Sequence, residues 1–172
     1  MLQKDNRTKI IQLFLDKPEE AFQLREISRL TNIAPPSVKK YLQELITQNL
    51  IKKTIPKTNY PQYQANRNAN FKTLKLLHTL ENIQELATYL EDTTQPDVII
   101  LFGSAAKGED LEDSDIDIFI QTEEQPKNLN KFESKLNKKI NILKEDFNKL
   151  SNELKNNIAN GIKLRGYLKI WD

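Results

Sequence analysis

The chain spends only four glycines over 172 residues, and all four, Gly103, Gly108, Gly161 and Gly166, fall in its C-terminal half. A chain so sparing with glycine places it where a side chain would obstruct the backbone. Two of the four bracket Gly103-Ser104-Ala105-Ala106-Lys107-Gly108, directly after the apolar run Val98-Ile99-Ile100-Leu101-Phe102. That run is too short for a typical helix and stops at glycine, which predicts a buried strand ending in a tight bend. Ile116-Asp117-Ile118-Phe119-Ile120 predicts a second strand, and Ile140-Asn141-Ile142-Leu143 a third. Helical spacing occupies about 128–137 and 146–160, with Gly161 placed to cap the second of these helices. Residues 162–171 read as extended. This half is therefore β-α-β-α-β-α-β, an α/β unit on a small sheet.

The N-terminal half has a different pattern. Helices are expected at 6–15, 24–30 and 35–48, with apolar faces formed by Ile10, Ile11, Phe14 and Leu15, then Leu24, Ile27 and Leu30, then Val38, Leu42, Leu45 and Ile46. Thr31 to Ala34 forms a turn, and Pro35-Pro36 suits the first turn of the third helix. Leu50–Ile55 and Gln62–Ala65 read as two strands of a hairpin, and 66–70 as a polar linker. A long helical pattern, 71–90, follows, one helix or two abutting ones, carried by Leu74, Leu77, Ile83, Leu86 and Leu90. The segment from Leu24 to Leu42, with its lysine-rich hairpin, resembles a winged helix–turn–helix domain covering 1–66. That resemblance implies DNA contacts from Ser37, Lys39, Lys40 and Gln43 on the third helix, and from Lys52, Lys53 and Lys57 in the wing, with a homodimer on a palindromic site.

Charge divides in the same way. Residues 1–78 carry 14 Lys and Arg against 6 Asp and Glu, whereas 79–172 carry 12 against 18, which hides within a net +2. A basic half suits nucleic acid, and an acidic half suits divalent cations. Absence of cysteine excludes disulfides and thiolate chemistry. The single His78 excludes a multi-histidine metal site and is expected to pack on its helix. No apolar run reaches the ~18 residues of a membrane span, and the first residues lack the apolar core of a signal peptide. The expectation is a soluble, cytoplasmic chain with no membrane partner. Trp171, Tyr60 and Tyr63 read as packing residues, and Glu109-Asp110-Leu111-Glu112-Asp113 as a solvated loop.

The chemistry concentrates in the glycine–serine bend and the two aspartates that follow it. Backbone amides at such a bend face an anion, and glycine lets a phosphate approach closely. Ser104 adds a hydroxyl and Lys107 an ammonium. Asp115 and Asp117 flank Ile116, so strand alternation places both carboxylates on one face. Two carboxylates that close resist ionising together unless a cation lies between them. Mg²⁺ suits such a site, because it takes carboxylate and phosphate oxygens together, which is what phosphoryl or nucleotidyl transfer requires.

Gly103-Ser104, ten residues, then Asp115-x-Asp117 resembles the signature of the nucleotidyltransferase superfamily that includes DNA polymerase beta, and most of all its minimal bacterial and archaeal members. The phrases Asp113-Ser114-Asp115-Ile116-Asp117-Ile118 and Asn160-Gly161-Ile162-Lys163-Leu164 are similar too, over about 96–166. The implied whole is an α+β protein of two domains: a winged helix–turn–helix at 1–66, a connecting helix at 67–95, and at 96–172 a nucleotidyltransferase fold with a small mixed sheet flanked by helices. The resemblance further implies Mg²⁺ or Mn²⁺, ATP or another nucleoside triphosphate, and transfer of a nucleoside monophosphate to an acceptor such as a protein hydroxyl on a partner toxin. Gly103, Ser104, Lys107 and Gly108 would then hold phosphates, and Asp115 and Asp117 would act catalytically as metal ligands. Relatives commonly carry a third aspartate where this chain has Asn141, which can offer a metal its carbonyl oxygen but cannot act as a base. The alternative is a transcription regulator whose weakened transferase domain senses nucleotide.

Overall fold

The computed structural model describes residues 5–56 and 60–170, and the chain parts into two units, Met1–Leu74 and Lys75–Asp172. In the first unit, α1 (Asn6–Asp16) starts where the Asp5 carboxylate accepts a hydrogen bond from the Thr8 amide at 2.7 Å, satisfying a donor the helix cannot pair itself. A two-residue strand, β1 (Phe22–Gln23), runs directly into α2 (Leu24–Thr31). Asn32, at φ 55°, turns the chain through the left-handed region and toward α3 (Pro35–Thr47). Proline suits that start because its missing N–H would have gone unpaired. β2 (Ile51–Thr54) and β3 (Gln62–Ala65) pair antiparallel, and β1 adds to the far edge of β3. Ile10, Phe14, Phe22, Ile27, Val38, Leu42, Leu45 and Phe71 fill the core, with Phe14 and Phe22 meeting edge to face at 5.6 Å. Leu30, expected on the apolar face of α2, is 55% exposed.

The helical pattern over 71–90, open to one helix or two abutting ones, is two helices, α4 (Ala69–Asn82) and α5 (Gln84–Thr94), parted at Ile83. The polar linker is correspondingly shorter, since α4 begins at Ala69. Leu77 is 57% exposed rather than buried.

In the second unit a four-stranded mixed sheet runs β6-β5-β4-β7. β4 (Val98–Phe102) pairs antiparallel with β5 (Ile116–Gln121) and with β7 (Ile162–Gly166), while β5 and β6 (Ile140–Lys144) are parallel. Both faces are covered, which is why β4 reads as an unbroken apolar run. Ile99, Leu101, Ile116, Ile118 and Ile120 pack against Leu86 and Leu90 of α5 and Phe132 of α6 (Asn130–Leu136). Val98, Ile100 and Phe119 pack on the other face, against Phe147 and Ile158 of α7 (Asn152–Ala159). The helix expected over 146–160 is interrupted: Phe147–Lys149 is one 3₁₀ turn, and Ser151 then caps α7 anew through the Leu154 amide at 3.3 Å. Gly161 does not end α7 in the left-handed conformation expected of it. It is needed for close approach, since a Cβ there would lie 2.5 Å from the Leu101 carbonyl oxygen and 2.8 Å from Ile100 Cγ2. Among the described residues no helix is long and apolar enough to cross a membrane.

Candidate functional site

The register of the sheet builds one row across three strands. Phe102 lies opposite Asp117, and Asp117 lies opposite Asn141. Because side chains alternate along a strand, Asp117 shares the face of Phe119, while Ile116 and Ile118 fill the opposite core. Asp115, just before β5, falls on the Asp117 face. The Asn141 amide joins them: its Nδ2 donates to Asp115 Oδ2 at 3.0 Å and to Asp117 Oδ1 at 3.1 Å. Both aspartates are half-buried and Asn141 is exposed.

The bend closes over the same point. Gly103 follows β4 at φ +73°, and a Cβ there would lie 2.5 Å from Asp117 Oδ2. Only glycine combines that backbone conformation with that closeness. Ser104 leads into a 3₁₀ turn, Ala105–Lys107, and its carbonyl accepts the Lys107 and Glu109 amides at 3.1 and 3.0 Å. Gly108 ends the turn at φ 65° and is buried, whereas Lys107 is exposed.

Residues 84–167 match the family model described as polymerase beta, nucleotidyltransferase.

The match opens at the first residue of α5 and closes one residue past β7. It therefore takes in the bend, both aspartates and Asn141, and the second unit carries a nucleotidyltransferase-like domain. No curated protein matches the chain. Among the described residues, no group of three or more His, Cys, Asp or Glu gathers as a metal cluster. The third member of the row is thus an amide, and among the described residues no other carboxylate completes it. Two carboxylate oxygens converging on one small donor still fit a single divalent cation, since Mg²⁺ takes one or two carboxylates and fills its remaining positions with water and phosphate. Rotation of the Asn141 amide would turn its carbonyl oxygen toward that cation.

The remaining sequence-predicted residues lie elsewhere. On α3, Lys39, Lys40 and Gln43 are exposed and Ser37 is half-buried. Lys52 and Lys53 are both exposed on β2, and strand alternation sends them to opposite faces. Lys57 and Trp171 lie outside the described residues. Tyr63 is buried, which raises its phenol pKa, while Tyr60 is 66% exposed. His78 Nε2 lies 3.1 Å from Asn82 Nδ2, one turn further along α4. A polar cleft of about 490 Å³, lined by Asp97, Gln121, Lys144 and Asp146 among others, opens at the far ends of β5 and β6 and holds none of the predicted site residues.

One part of the nucleotidyltransferase-like domain escaped the sequence reading. Asp110, expected in a solvated loop, is 1% exposed, and its Oδ2 lies 3.2 Å from both Lys75 Nζ and Lys138 Nζ. Local sequence gave no signal, because the two lysines come from α4 and from the turn before β6.

Proposed function

We propose that the second unit binds a nucleoside triphosphate with Mg²⁺ or Mn²⁺ and transfers its nucleoside monophosphate to an acceptor hydroxyl, with a protein hydroxyl as the acceptor class. The observation that carries this reading is the convergence of Asp115 and Asp117 on one nitrogen beneath the Gly103 bend. In this reading Asp115 and Asp117 hold the cation, which when bound neutralises phosphate charge and aligns the reacting oxygens. Gly103 lets the bend close onto Asp117, and Ser104 can donate its hydroxyl to a phosphate oxygen. The exposed Lys107 ammonium balances charge on the triphosphate tail, and Gly108 lets the bend close. The acceptor oxygen attacks the α-phosphorus and pyrophosphate departs.

The hydroxyl proton passes to solvent water, because Asn141 cannot take it. That residue favours a second reading, in which the domain holds nucleotide and turns it over slowly or not at all. The first unit, read as a winged helix–turn–helix, would then couple nucleotide occupancy to DNA, with Lys39, Lys40, Gln43 and one of Lys52 and Lys53 toward the duplex.

One experiment tests the transfer and separates the readings. Incubation with α-³²P-labelled ATP and Mg²⁺ should label an acceptor, and Asp115→Ala should abolish the label; label that survives Asp115→Ala refutes the assigned role. Under the sensing reading, calorimetry shows ATP binding without turnover, and Asn141→Asp gains transfer.

A further inference from the structure

The ion cluster around Asp110 joins the pieces that hold the aspartate pair. Asp110 follows the bend, where the Glu109 amide donates to the Ser104 carbonyl at 3.0 Å. Its buried Oδ2 meets Lys138 Nζ and Lys75 Nζ, each at 3.2 Å, with Lys75 4% exposed. Asp110 Oδ1 is buried with no hydrogen-bond partner among the described residues. The Lys138 ammonium also donates to the carbonyls of Leu111, of Ser114 at 3.2 Å and of Glu112 at 3.5 Å. Leu111 and Ser114 close the same loop, the Leu111 amide donating to Ser114 Oγ at 2.8 Å. The next residue along from Lys138 accepts the Ile116 amide through its carbonyl at 2.8 Å, at the head of the β5–β6 pairing. One ammonium thus fixes the loop that delivers Asp115 against the strand that delivers Asn141.

A buried ion pair is a poor source of stability, since well-packed apolar side chains often do as well or better. Its better-attested use is to fix one geometry. We propose that Lys138 and Asp110 are positioning residues for the nucleotidyltransferase-like site, setting the Asp115–Asn141–Asp117 arrangement on which cation binding depends. This rests on the cation-binding reading above, but its geometric half can be tested without any cation.

The test uses the full chain and two readouts. The first is the Asn141 side-chain amide pair in ¹⁵N-correlated NMR without metal, assigned by its loss in Asn141→Asp. The second is titration with Mn²⁺ alone. Lys138→Met and Asp110→Asn should shift the Asn141 pair toward its position in Asp115→Ala, leave the Ile99 and Leu86 amides in place, and weaken Mn²⁺ at least tenfold. The double variant should cost no more than the worse single, because the two side chains act as a unit. Lys138→Gln, which keeps a donor for the loop carbonyls, supplies the same comparison if Lys138→Met does not fold. An unmoved Asn141 pair and Mn²⁺ affinity within twofold in folded variants overturns the proposal. If the wild type itself binds no Mn²⁺, the cation reading fails, while the metal-free NMR shifts still decide whether these residues set the geometry.

Discussion

At Gly103 two demands meet, a left-handed φ of +73° and the carboxylate of Asp117 within 2.5 Å of where a Cβ would stand. The left-handed region costs a non-glycine residue about 1–2 kcal/mol, and the added methyl must also push the carboxylate away. Gly103→Ala should therefore lower the Tm by several degrees and weaken Mn²⁺ binding tenfold or more. Gly161→Ala is the control: its Cβ would strike the Leu101 carbonyl and Ile100, so it should lower the Tm while leaving Mn²⁺ affinity intact well below the melt. Equal Mn²⁺ loss in both would mean that general destabilisation, not the bend, is responsible. The bend and the aspartates were readable beforehand because a glycine after an apolar run and a two-residue spacing are local facts. Asn141 was readable as the third position only through the family resemblance, since relatives commonly carry an aspartate there. Asp110 was not, since a run of acids looks solvated until its distant lysines are known.

Along single elements, periodicity located the strands well and failed at breaks. Nothing in the sequence marks Ile83 as the break after α4, for neither proline nor glycine stands there, yet Phe71 belongs to the first core and Ile83, Leu86 and Leu90 to the second. Packing decided that division. β1 is two residues long, and its pairing with β3 is visible only once the chain has folded back. Helix starts are more local, and α1 offers a test. The Thr8 amide, hydrogen-bonded to Asp5, holds that exposed carboxyl below its ordinary pKa. A depressed folded-state pKa stabilises the fold above the unfolded carboxylate range, near 4, and the gain is lost as pH falls through the lower folded value. Asp5→Ala should thus lower the Tm by a few degrees at pH 7, as loss of an N-cap does, and the gap from wild type should narrow as pH falls below the unfolded carboxylate range. Thermal melts across pH check this, and a gap that does not change with pH would show that the cap carries no charge contribution.

Across the whole chain, the excess of Lys and Arg in residues 1–74, 13 against 6 Asp and Glu, set against the acidic remainder makes the first unit the place to look for a polyanion. Phosphate contacts release counterions, so log K for duplex DNA should fall linearly with log salt at roughly −0.9 per phosphate neutralised. With Lys39 and Lys40 on α3 and one lysine of β2 in contact, the slope should lie near −3. Lys39→Ala/Lys40→Ala should flatten it by roughly 2. Lys52 and Lys53 point to opposite faces of β2, so a single duplex backbone can engage one of them. One single alanine variant should therefore flatten the slope by roughly 1, and the other should leave it unchanged. Filter binding of the full chain to duplex DNA over 50–300 mM salt reads all of these slopes. A slope near zero, or one indifferent to Lys39→Ala/Lys40→Ala, would remove DNA from the function of this unit and turn its exposed α3 face toward a protein partner instead.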